Sequence, residues 1–106
     1  MAKYLFEAKY TTEGVKGLLK DGGTKRRAAV EETLKALGGK LEALYFALGE
    51  HDVYAIVDLP DHVGVTAASL VVNASGAVSL RTTVLITPEE VDQAVKKTVK
   101  YRAPGK

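Results

Sequence analysis

The sequence predicts an α+β domain of the ferredoxin-like type, β-α-β-β-α-β with an extra C-terminal helix. Three observations carry that expectation. Segments with period-two apolar alternation and segments with an apolar stripe of helical period follow one another in this order. Glycine and proline punctuate the junctions. Right-handed crossovers for both strand–helix–strand units then order the strands 4-1-3-2 in an antiparallel sheet with the helices on one face. At 106 residues, 46% apolar and 26% charged, the chain is one soluble globular domain able to bury about two-thirds of its unfolded surface.

Residues 3–10 alternate and carry Tyr4, Phe6 and Tyr10, which reads as the first strand, ending at Thr11-Thr12. A short helix starts at Thr12-Glu13, has Val15, Leu18 and Leu19 on one side, and stops at Asp21-Gly22-Gly23. The main first helix covers Lys25 to Leu37, with Thr24 as N-cap, the stripe Val30, Leu34, Leu37 and the left-handed stop Gly38-Gly39. Lys40 to Leu48 reads as a strand, Gly49 to Asp52 as a tight turn, and Val53 to Leu59 as the hairpin partner, closed by Pro60. Asp61 caps a second helix running to Ser75, Gly76 ends it, and a fourth strand spans Val78 to Ile86. Thr87-Pro88-Glu89-Glu90 is a capping box with proline at the first helical position, followed by Val91, Ala94, Val95 and Val99 on one face. The domain is therefore 1–99, with a basic tail at 100–106.

Composition removes several function classes. The chain has no cysteine, hence no disulfide framework, thiolate zinc site or cysteine nucleophile, and a cytoplasmic location is expected. Glu7 and Lys9 interrupt any signal-peptide core. His62 to Leu80 lacks formal charge for 19 residues, but Thr66, Ser69, Asn73, Ser75 and Ser79 make it too polar for lipid, so no membrane is implied. Residues 1–95 hold 10 basic and 13 acidic side chains, while Lys96, Lys97, Lys100, Arg102 and Lys106 follow without an acid. That division reads as an acidic body with a basic tail next to a helix C-terminus, where cations are favourable, rather than as a nucleic-acid surface.

The faces of the strands suggest association. Val53, Ala55, Val57 and Leu59, with Val78, Leu80, Thr82, Val84 and Ile86, face the helices. The opposite face combines Lys3, Leu5, Glu7 and Lys9 with Glu42, Leu44, Phe46 and Leu48, then Asp52, Tyr54, Ile56 and Asp58, then Ser79, Arg81, Thr83 and Leu85. So large a half-apolar face calls for a second subunit. The helix 61–75 adds His62, Thr66, Ser69 and Asn73 as an uncharged polar stripe, either a subunit contact, a cleft wall or a mild solvent face.

Candidate chemistry falls in three places. Glu7, Lys9, Tyr54, Asp58, Arg81 and Thr83 share the open face near Leu5, Phe46 and Ile56, and read either as a ligand site in a closed dimer or as an ion-pair network setting its register. His51, Tyr54 and Arg81 are the candidates for any catalysis. His51 adjoins Asp52, which reads either as a general-base arrangement or as a polar turn in which Asp52 holds turn amides. Lys25, Arg26 and Arg27 crowd a helix N-terminus, which the macrodipole disfavours; an Arg27–Glu31 pair or a bound phosphate or carboxylate would offset that. No metal site is expected, since His51 and His62 flank a strand about 23 Å long at ~3.3 Å per residue. No cofactor motif is visible.

Leu48-Gly49-Glu50-His51-Asp52-Val53, Ala55 through Asp61, Gly76, Arg81-Thr82-Thr83 and Lys25-Arg26-Arg27-Ala28 together resemble the GYD-domain family, small bacterial proteins of the dimeric α/β-barrel superfamily. His51 stands where the Gly-x-Tyr-Asp pattern has tyrosine. The resemblance implies a homo-oligomer with two sheets face to face, and no particular reaction, because superfamily relatives range from cofactor-free monooxygenases and isomerases to ligand-sensing domains. The expected function is a homo-oligomeric protein holding a small organic ligand between sheet and helices. The alternatives are a non-catalytic interaction or regulatory module and a cofactor-free enzyme.

Overall fold

A computed structural model describes all 106 residues. The elements are β1 (Ala2–Tyr10), α1 (Thr12–Asp21), α2 (Gly23–Ala36), β2 (Lys40–Phe46), β3 (Val53–Leu59), α3 (His62–Ala74), β4 (Val78–Leu85) and α4 (Pro88–Val95). The four strands form one antiparallel sheet in the order β2-β3-β1-β4, the ferredoxin-like arrangement that the crossovers predict.

Side chains on one face of the sheet build the core. Tyr4, Val57, Leu59 and Leu34 of α2 are almost fully buried, with Phe6, Ala55 and Val65 beside them and Val30, Leu37, Leu41, Leu44 and Leu80 at the margin. The Val30, Leu34, Leu37 stripe therefore does what its spacing implies. Gly38, at φ 77°, gives α2 its left-handed stop, with Gly38 and Gly39 donating back to the Lys35 and Leu34 carbonyls. A side chain at Gly39 would collide with the Asp58 carbonyl and with Leu59, so glycine is needed there for the chain to enter β2 against β3.

Several boundaries differ from expectation. Thr11 rather than Thr12 caps α1; its hydroxyl accepts from the Gly14 amide and donates to the Gly76 carbonyl, tying α1 to the α3–β4 turn. Gly22, at φ 81°, turns the chain directly from α1 into α2, so Thr24 lies inside the helix and caps nothing. β2 stops at Phe46, and Leu48 is fully exposed in a loop closed by the Ala47 amide donating to the Asp52 carbonyl at 2.8 Å. α4 ends at Val95, not Val99.

The largest correction concerns β2. An irregularity between Leu41 and Ala43 inserts one residue against β3, and a one-residue shift exchanges the faces of the strand. Leu44 and Phe46 consequently lie on the helix side, Leu44 against the core and Phe46 against Gly23 of α2, while Tyr45 joins the open face. On β4 the outer helix-side positions are also less covered than expected, since Val84 and Ile86 lie at the edge beyond the core and remain exposed.

The polar stripe on α3 turns toward its own sheet. Asn73 accepts from the Leu80 amide at 2.7 Å and donates to the Leu80 carbonyl at 3.4 Å, Ser69 meets Thr82 at 3.2 Å, and His62 meets the Tyr4 hydroxyl at 3.5 Å. Asn73 thus occupies peptide groups that an edge strand would otherwise offer to another chain. The outward side of α3 is apolar instead, with Val63, Leu70 and Val71 exposed.

α4 stands apart. Its capping box is complete, with Thr87 and Glu90 bonded reciprocally at 3.0 and 3.1 Å, yet none of its residues is buried and it packs substantially on no other element. The molecule measures 56 × 32 × 23 Å with a radius of gyration of 16.9 Å, where a compact chain of this length has about 13 Å. Once α4 is set apart, residues 1–87 carry ten acids and ten bases. The body is neutral, and the acid excess belongs to α4.

Two outcomes follow from these contacts. Asn73→Ala removes both bonds to the β4 edge and lowers stability by about 1–2 kcal/mol in urea unfolding. The Thr87 amide and hydroxyl hold the Glu90 carboxyl below its ordinary value of 4.5. A depressed carboxylate contributes above its unfolded value and is lost as pH falls through the folded one, so the α4 amide signals in NMR stay helical above pH 4.5 and fray below it.

Candidate functional site

The open face is laid out in rows by the strand register. Tyr45, Tyr54, Glu7 and Arg81 form one row across β2-β3-β1-β4; Ala43, Ile56, Leu5 and Thr83 form the next; Asp58, Lys3 and Leu85 lie beyond. Lys3 donates to Glu42 at 2.7 Å and to Asp58 at 2.9 Å, and these hydrogen bonds, Glu42 first, hold its ammonium above the ordinary lysine value. Asp58 is the single buried charged residue and lies beneath that ammonium.

The neighbouring cluster centres on Glu7. One carboxylate oxygen lies 3.5 Å from His51 Nδ1, the other accepts from the Thr83 hydroxyl at 3.4 Å, and the His51 ring stands edge-on to Tyr54 with centroids 5.8 Å apart. Sequence adjacency pointed to Asp52 as the carboxylate for His51; the fold supplies Glu7 instead. Asp52 accepts from the Tyr10 amide at 2.8 Å, so it fastens β1 rather than its own turn. Lys9 reaches the Glu50 carbonyl at 3.3 Å. Of the open-face charges, Lys9 and Arg81 have no ion pair within the chain, and Arg81 has no side-chain hydrogen bond either. An imidazole oriented by a carboxylate beside a phenol is an arrangement suited to proton transfer, and equally to fixing the hairpin loop over β1.

The basic trio at the start of α2 does not converge. Lys25 approaches Asp21 at 3.7 Å and Arg27 approaches Glu31 at 3.9 Å, both one helical turn away. Arg26 has no carboxylate partner and is half-buried at the edge of an apolar cavity of about 90 Å³ between the sheet and α2 and α3. Phe6, Ala55 and Leu80 of the sheet, with Val30 of α2 and Ala68 and Val72 of α3, supply much of its wall. Residues at its margin are shared with a cleft beside α1, about 330 Å³, and with a groove between α2 and α3, about 520 Å³. Sequence reading did not find this cavity. Its one legible signal is small residues on facing elements, Ala29 on α2, Ala55 on β3 and Ala68 on α3, where larger side chains would fill the layer.

The GYD-domain family model matches residues 4–95, from β1 to the last residue of α4. The chain belongs to the GYD-domain family. No curated protein and no solved structure matches it. In this GYD domain the His51 ring meets the Tyr54 ring and the Glu7 carboxylate. No helix of the GYD domain is long and apolar enough to cross a membrane.

The pairing pattern separates Glu7 from Arg81. Glu7→Ala strips His51 and Thr83 of their shared partner and costs about 1 kcal/mol in thermal or urea unfolding, whereas Arg81→Ala stays within about 0.5 kcal/mol of the parent.

Proposed function

We propose that this GYD-domain protein is a homo-oligomer that binds a small organic anion between sheet and helices, with the apolar part of the ligand in the helix-side cavity and its charge at Arg26. The observation that carries the reading is a half-buried guanidinium without a carboxylate partner at the edge of an apolar cavity of about 90 Å³. An engineered apolar cavity of ~150 Å³ admits benzene, so this smaller one suits a short acyl chain, and a single ring only where it extends into the adjoining clefts.

The open face has the assembly role in this reading. Glu7, Lys9, Asp58 and Thr83 already spend polar atoms inside the chain, Leu5 and Ile56 lie between them, and Arg81 with Tyr54 is left for a facing copy. The exposed area supports a partner: 7812 Å², against about 5700 Å² for a compact monomer of 11.3 kDa. Catalysis by His51 and Tyr54 is a second reading, favoured by the Glu7–His51 contact, and it places chemistry on the open face rather than in the cavity.

Thermal shift with benzoate, hexanoate and the matching neutral alcohols tests the cavity. Wild type is stabilised by the carboxylates, Arg26→Ala loses about tenfold in carboxylate affinity with the alcohols little changed, and Ala68→Leu, which fills the space, loses both. Carboxylate shifts that survive Ala68→Leu would remove the cavity as the site. For the assembly face, sedimentation equilibrium of Ile56→Asp shows weaker association than wild type; equal association would take the open face out of the interface.

A further inference from the structure

The acid and base of the C-terminal arm are separated along its length. Glu89, Glu90 and Asp92 fall within the first five residues of α4, and Lys96, Lys97, Lys100, Arg102 and Lys106 follow its last turn without an intervening acid. This order suits the helix dipole, which favours anions at the start and cations past the end. It also makes the arm complementary to a reversed copy of itself.

Three further observations bear on what meets it. The arm carries an apolar stripe, Val91 and Val95 one turn apart and then Val99 and Tyr101; the last three are each about three-quarters exposed. An eight-residue helix is too short to persist in water on propensity and capping alone, so its apolar side needs a surface. The neutral body offers the arm's charges no net attraction, because the acids and bases of residues 1–87 balance.

We propose that the arms of two copies pair antiparallel across a two-fold axis near Val95. Val95 of one arm lies against Val95 of the other, Val91 of each lies against Val99 of its partner, and Glu89 and Asp92 of each face Lys100 and Lys97 of its partner. Such a contact is isologous: each stripe covers the same stripe, and each charged half meets its opposite. With one net sign along the whole arm, the same pairing would place like charges together. The contact is independent of the cavity and of the open sheet face.

Because the chain has no cysteine, a single introduced one reports the contact directly. In the full-length protein, Val95→Cys forms an intersubunit disulfide under mild oxidation at least tenfold faster than Lys16→Cys, an exposed control on α1. A rate equal to the control overturns the pairing, including the case in which each arm folds back on its own α3. Adding Lys97→Glu and Lys100→Glu to Val95→Cys slows cross-linking at least fivefold, and further adding Glu89→Lys and Asp92→Lys restores it. Cross-linking that is unchanged or faster after the first pair, or that the second pair fails to restore, overturns the antiparallel register. Val95 and these charged side chains lie off the core, so the body's melting temperature stays at the wild-type value throughout, and a failed open-face or ligand test leaves the cross-link unaffected.

Discussion

A four-stranded sheet has two faces, and this chain supplies helices for one. Much else in the molecule answers to that shortage. On the covered side, α2 and α3 bury Tyr4, Val57 and Leu59, and only 11 of the 106 residues in the chain are buried at all. On the uncovered side the polar groups are tied down within the chain: Lys3 joins Glu42 to Asp58, and Glu7 joins His51 to Thr83. An open face of this kind tolerates water in the isolated chain while carrying Leu5, Ile56 and two tyrosine rings. Specificity of register is the property such a polar network best provides, since breaking one partner from a buried charge such as Asp58 is costly.

The helical layer is itself thin. α2 and α3 leave a groove between them and an apolar space beneath, lined by Ala29, Ala55 and Ala68, whose short side chains leave it unfilled. In the proposed function the ligand's charge therefore meets Arg26 on the helix side rather than the more conspicuous open-face charges. A guanidinium without a partner at the edge of an apolar space has interactions still to make; a glutamate already shared by a histidine and a threonine has fewer.

How much of this was legible beforehand depends on whether the signal was local. The capping box at Thr87–Glu90, the Asp61 cap, the Gly38 and Gly76 stops and the Val30, Leu34, Leu37 stripe each rest on residues within a few positions, and each was readable from the sequence, as was the strand order through the handedness of the crossovers. The faces of β2 were not readable, since one inserted residue opposite β3 exchanges Leu44 and Phe46 with Tyr45, and no composition signal marks where a strand bulges. The carboxylate that meets His51 was not readable either: Asp52 is adjacent in sequence but accepts from the Tyr10 amide, and the carboxylate beside the ring, Glu7, comes from β1.

The sequence by itself determined the element order, the sheet topology, the family and the division of charge in the tail, because these follow from local propensity, chirality and counting. Only the tertiary structure decided that α4 leaves the body, that the body is neutral, that Asn73 closes the β4 edge and that Arg26 meets an apolar cavity. Those facts depend on which groups the packed elements bring together, or on an element failing to find a surface. Neither is encoded in any short stretch of residues.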